Sequence, residues 1–119
     1  MLMTLARVAV ALMAALHLYI LVLEMFLWTT PRGRKAFGLT LEFAQASKAL
    51  AANQGLYNGF LAAGLVWGLA LGAGGRGVET FFLGCVIVAG VFGAMTAARK
   101  ILFIQAVPAA VAMALVLAS

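Results

Sequence analysis

Apolar stretches and short polar breaks alternate along the chain, and their lengths predict four membrane-crossing helices. A bilayer core takes roughly 20 apolar residues per helix. The first stretch covers residues 4–28, and a polar break follows over residues 29–35, with Pro31, Gly33, Arg32, Arg34 and Lys35. Residues 39–50 then read as an amphipathic helical lead-in. Thr40 is placed as an N-cap, Glu42 suits the positive end of a helix, and Leu39, Phe43, Ala46 and Leu50 share a face. The lead-in runs into a second span over residues 49–73. Gly74, Gly75 and Gly77 around Arg76 form the next turn, before a third span over residues 80–97. A tight Arg99-Lys100 turn precedes the fourth, over residues 101–118. The pattern is that of one all-α integral membrane domain over residues 1–119, a four-transmembrane-helix bundle.

Composition agrees with this pattern. Of the 119 residues, 66% are hydrophobic and only 9% charged, too little polar surface to keep a soluble domain dispersed. The net charge of +5 would suit nucleic acid in another setting. Here the basic residues lie between apolar stretches, where lipid headgroups and topology explain them, and no aromatic-interleaved basic patch points to a nucleic acid. Cys85 is the sole cysteine, so no disulfide or thiol cluster forms within the chain. One histidine and three acidic residues, well spread, argue against a metal site, and no cofactor motif is present. The first stretch exceeds the 7–15-residue core of a signal peptide and lacks a small-residue cleavage site, so it reads as a retained helix.

Lysine and arginine positions set an expected orientation. Arg32, Arg34, Lys35, Lys48, Arg99 and Lys100 fall on one side, against Arg7 and Arg76 on the other. The richer side is cytoplasmic by the positive-inside rule, which puts both termini on the non-cytoplasmic face of a bacterial inner membrane. Trp28 then sits at the cytoplasmic interface. Two small-residue stripes mark the second span: Ala51, Gly55, Gly59 and Ala63, then Gly64, Gly68 and Gly72. Gly90 and Gly93 act similarly in the third. Such stripes let a neighbouring backbone approach, either within the chain or in a homo-oligomer.

Against this apolar background Glu24 stands out. A carboxylate in a membrane-length segment costs roughly 2.5–3.5 kcal/mol on insertion scales, which makes it a functional-site candidate. His17 lies seven residues earlier on the same helix face, about 10 Å away along the axis. Counted from the cytoplasmic ends, Asn53 and Gln54 of the second span, Thr96 of the third and Gln105 of the fourth reach the level of Glu24, with Tyr57 and Asn58 one turn deeper. These side chains are expected to point into the bundle. Glu24 can accept from Asn53, Gln54 or Asn58, or pair with Arg34, Arg99 or Lys100. Pro108 frees the carbonyl of Ile104 and predicts a kink beside Gln105. Interhelical bonding of this kind also serves as simple bundle glue.

Two blocks carry a resemblance. His17-Leu-Tyr-Ile-Leu-Val-Leu-Glu24-Met-Phe-Leu-Trp28-Thr-Thr-Pro31-Arg-Gly-Arg34 and Ala52-Asn53-Gln54-Gly55-Leu56-Tyr57-Asn58-Gly59-Phe60 resemble the small bacterial membrane proteins grouped as domain of unknown function 1304. The likeness extends over nearly the whole chain. It implies a four-helix inner-membrane protein whose signature residues fall on the polar cluster, and it implies no activity. A looser likeness is to the small multidrug-resistance transporters, short four-span proteins with a key carboxylate in the first helix. It would give Glu24 that role and Trp67 the part of an aromatic wall for a cation, although the residues around Glu24 do not match that family's pattern.

Three functions remain open on this reading. The first is proton- or cation-linked transport or permeation of a small solute by an oligomer, with Glu24, His17, Asn53, Gln54, Tyr57, Asn58 and Gln105 lining the site. The second is an embedded isomerase or hydrolase on a lipophilic substrate, with Glu24 and His17 as acid and base. The third is a non-catalytic membrane assembly partner.

Overall fold

A computed structural model describes residues 1–119, and every element in it is helical. Helix α1 is Leu2–Met25, α2 is Pro31–Phe37, and α3 is Leu41–Ala70. A 3₁₀ turn, Gly72–Gly75, leads into α4, Arg76–Thr96. A π turn, Leu102–Ala106, leads into α5, Val107–Ala118. Two segments, Leu2–Met25 and Gly72–Thr96, are long and apolar enough to cross a membrane, and Leu102–Ala118 is apolar but shorter. Helix α3 has the length, at 30 residues, but Asn53, Gln54 and Asn58 interrupt its apolar character.

The chain divides into two compact units, one of Ala15–Phe60 and one of Met1–Ala14 with Leu61–Ser119. In the Ala15–Phe60 unit, the stretch expected as an open polar break folds into α2. The reason is local. Thr30 is extended at the N-cap, its hydroxyl accepts from the Gly33 amide at 3.3 Å and donates to the Leu27 carbonyl at 2.6 Å. Pro31 follows where its missing N–H costs nothing. Gly38 ends α2 with φ of 67°, a left-handed conformation that glycine adopts without strain. The first helix also stops three residues short of Trp28, because the Phe26 and Leu27 amides both turn back to the Val22 carbonyl, at 3.0 and 3.1 Å. Trp28 is then free to donate its indole N–H to Ser47 Oγ at 3.0 Å and to pack against Phe37, ring centroids 4.9 Å apart and planes tilted by 49°. Thr30→Ala removes both hydroxyl bonds and should cost about 1–2 kcal/mol in detergent unfolding, while Thr30→Ser should restore most of it.

Helix α3 begins as expected, with Thr40 Oγ1 accepting from the Phe43 amide at 3.1 Å and Glu42 in the first turn. Its packed face differs from the expected one. Leu50 and Phe43 are exposed, whereas Ala44, Ala51 and Gly55 are buried. Small residues allow close backbone approach, so they take the inner face and the larger apolar groups are left outside.

The other unit has the same character. Its buried side chains are mostly small or medium: Ala6, Val10, Ala62, Leu65, Leu83, Val86, Ala109 and Ala112. Gly64 lies under the Phe82 ring, Gly68 under the stem of Glu79, and Gly90 against the backbone of Ala106. These contacts are made within the chain, as they are for Gly55 and Gly59 in the first unit. Helix α4 starts at Arg76, earlier than the sequence pattern suggests, and takes Arg76 and Gly77 out of the expected turn. The kink expected at Pro108 takes the form of the π turn. Proline cannot bond the carbonyl four residues back, and just before it the Val107 amide reaches five residues back to Leu102.

Candidate functional site

Within the Ala15–Phe60 unit, the last turn of α1 meets α3 at Gly55. A Cβ on Gly55 would lie 2.5 Å from Met25 Cγ and 3.1 Å from Glu24 Cβ, and one on Gly59 would lie 2.7 Å from Leu21 Cδ1. That closeness brings Asn58, one turn along α3, to Glu24. Asn58 Nδ2 donates to Glu24 Oε1 at 2.7 Å and to the Gln54 carbonyl at 3.2 Å. Both partners are acceptors, which fixes the amide orientation and uses both of its hydrogens. A short bond of this kind to a carboxyl group is the strong sort of hydrogen bond.

The remaining expected site residues divide. His17 is completely buried, on the α1 face that also bears Glu24. Asn53, Gln54 and Tyr57 are exposed on α3, Tyr57 at 52%. This corrects the expectation that they point inward. Ala51, Gly55 and Asn58 already fill the side of α3 that packs on α1, and positions 53, 54 and 57 turn away from it at 100° per residue. Glu24 therefore takes one of the three amide partners considered, Asn58, and not Arg34, whose Nε is buried without a hydrogen-bond partner. Gln105 belongs to the other unit, half-buried in the π turn. Thr96 bonds back to the Phe92 carbonyl of its own helix at 2.7 Å.

Two clefts carry basic residues in their walls. One, of about 370 Å³, is an open depression over α2, lined by Pro31, Arg34, Lys35, Gly38 and Leu39. The other, of about 200 Å³, lies in the unit of Met1–Ala14 with Leu61–Ser119, where Arg7, Arg76, Glu79 and Val116 are among its walls. Glu24 and His17 line neither. Glu79 is the polar residue that sequence reasoning passed over. Placing the third span from Thr80 left it in a turn, whereas the earlier start of α4 puts it in a first helical turn, only 7% exposed. The signal that could have found it is the pair Gly68 and Gly75, glycines in two successive elements that prepare a close approach at that level.

The profile of a family described as a protein of unknown function (DUF1304) matches residues 11–117. The chain is also 27% identical over 106 residues to the uncharacterized protein YpaA of Lactococcus lactis subsp. lactis (strain IL1403), with 87% of this chain and 89% of that one covered. No solved structure matches.

Proposed function

This chain belongs to the DUF1304 family, and we propose that it is a four-span inner-membrane protein that moves a small solute as an oligomer, coupled to protons or a cation through Glu24. The distribution of side chains supports the membrane setting. Trp67, Phe81, Phe92, Met95 and Phe103 are exposed while alanines and glycines fill the interior, an arrangement that lipid favours and water penalises. Helix α3 is about 45 Å long at 1.5 Å per residue, enough to cross a core of roughly 30 Å with its first turns outside. The lysine and arginine asymmetry supports an orientation with both termini on the non-cytoplasmic side.

One observation carries the functional reading. Asn53, Gln54 and Tyr57 stand exposed on α3, within about one turn of Asn58 along the helix but turned away from its packed face. In hydrocarbon such groups need partners, which lipid cannot supply. A second copy of the chain or a file of water supplies them, and either makes the Glu24–Asn58 pair part of a shared path. The surface for this assembly is the polar stripe of α3 and not its glycines, which the chain's own residues occupy. The acid–base enzyme reading has no such observation behind it: the clefts over α2 and beside Glu79 are lined by neither Glu24 nor His17.

The test is reconstitution. The protein should run as an oligomer in bilayer nanodiscs, and liposomes containing it should pass protons or small cations faster than empty ones. A protein that stays monomeric in the bilayer, or liposomes no leakier than the controls, would overturn the proposal.

A further inference from the structure

The cleft of about 200 Å³ is independent of Glu24 and has its own chemistry. Glu79 is 7% exposed, yet its carboxyl oxygens accept no hydrogen bond from the chain. Its carboxyl opens on the cleft without a hydrogen-bond donor from the chain, so a ligand or solvent must complete it. The site is built around it. Gly68 makes room for the stem, since a Cβ there would fall 2.5 Å from Glu79 Cγ, and Gly75 lets the backbone of the preceding turn close on Gly68.

Two guanidinium groups share the cleft. Arg7 Nη2 donates to the Leu69 carbonyl at 3.1 Å, and Arg76 Nη2 donates to the Leu117 carbonyl. Each arginine thereby caps the last turn of a helix, α3 or α5, which is reason enough for one of its N–H groups. A guanidinium has five, so each is anchored by one edge and keeps donors for the cleft. Arg7 also lies within electrostatic reach of Glu79.

We propose that this cleft binds a zwitterion, seating a primary ammonium on Glu79 and an anionic phosphate or carboxylate between Arg7 and Arg76. A simple anion would leave Glu79 unpaired and add a like charge beside it. A simple cation would face two guanidinium groups. A ligand with both charges, separated by a short spacer, pairs all three side chains at once, and Ala6 and Val116 offer apolar walls for the spacer. The lining residues come from the first two turns of α1, the 3₁₀ turn, the first turn of α4, and the last turn of α5 with Ser119 after it. In the four-span arrangement such helix ends lie at headgroup depth. The same chemistry is presented by a phosphatidylethanolamine headgroup and by free phosphoethanolamine.

The full chain, purified from vesicles of equal parts phosphatidylethanolamine, phosphatidylcholine and phosphatidylglycerol, is examined by native mass spectrometry for retained lipid. The quaternary ammonium of phosphatidylcholine cannot donate a hydrogen bond, so phosphatidylethanolamine should be retained roughly tenfold more often. Glu79→Gln should bring that ratio to about one, and Arg76→Gln should lower retention of phosphatidylethanolamine itself. Phosphoethanolamine added to lipid-stripped protein decides the source. Binding there, with no lipid preference, identifies the free zwitterion; lipid preference without it identifies the headgroup. Equal retention of all three lipids together with no binding of phosphoethanolamine would overturn the proposal, as would an unchanged preference in a helical Glu79→Gln protein. If Glu79→Gln does not fold, the wild-type lipid ratio and Arg76→Gln decide. Glu24→Gln should leave the preference intact, which separates this site from the transport reading.

Discussion

Glu24→Gln is expected to bring proton- or cation-linked flux in proteoliposomes down to the level of empty vesicles while the helical fold survives. The glutamine side chain keeps an Oε1 at the position where Asn58 Nδ2 donates at 2.7 Å, so the bond between α1 and α3 persists. Shape is nearly unchanged, and the close approach at Gly55 is not disturbed. What disappears is the capacity to carry a charge, to release a proton, or to hold a cation. Helical circular dichroism should be unaltered, and unfolding in detergent should shift by less than about 1 kcal/mol. Asn58→Leu provides the opposite case. It retains the carboxyl group but strips its donor, and leaving a half-buried acceptor unsatisfied should cost about 1–3 kcal/mol. Undiminished flux in Glu24→Gln would show that the carboxylate takes no part in transport. An equal loss of stability in both variants would reduce the pair to a structural tie.

Gly75→Ala is expected, with Gly33→Ala, to be among the most damaging glycine-to-alanine changes in the chain. A Cβ there would stand 1.8 Å from the Gly68 carbonyl oxygen and 2.8 Å from the carbonyl carbon, and both are backbone atoms. No rotamer change relieves such a clash, so the segments meeting there must separate, and the fitting of Glu79 over Gly68 goes with them. Overpacking that forces backbone movement puts the cost at about 3 kcal/mol or more. Two nearby glycines supply the control. Gly74 and Gly77 have open space where a Cβ would go and no positive φ. Gly74→Ala and Gly77→Ala should be neutral or stabilising by up to about 1 kcal/mol, because alanine restricts the unfolded chain. A Gly75→Ala protein as resistant to thermal unfolding as these two would refute the contact.

Periodicity and punctuation made much of the local structure legible. The cap at Thr40, the continuous helix from the lead-in to Ala70, the turn near Gly74 and the disturbance before Pro108 follow from short-range rules. Helix α2 was missed because three basic residues, a proline and a glycine read as a break, although Thr-Pro is also how a helix starts. Glu24 and Asn58 were both singled out by their rarity in apolar surroundings, and a cost of insertion is a property of composition. Which of the neighbouring amides meets the carboxyl depends on the angular position of α3 against α1, and that is set by the contacts of Gly55 and Gly59.

From the sequence alone came the family, the all-helical class, the apolar segments and the residues whose polarity demands an explanation, because each depends on local pattern or on composition. Tertiary structure decided which faces pack. Close approach rewards the smallest side chains, so Ala44, Ala51 and Gly55 turned inward, Leu50 and Phe43 stayed outside, and Asn53, Gln54 and Tyr57 were left exposed. It also took Glu79 from an apparent turn into a buried position with two arginines around a shared cleft. Those residues lie 72 and 3 positions apart along the chain from it, and only the meeting of helix ends could bring the distant one near.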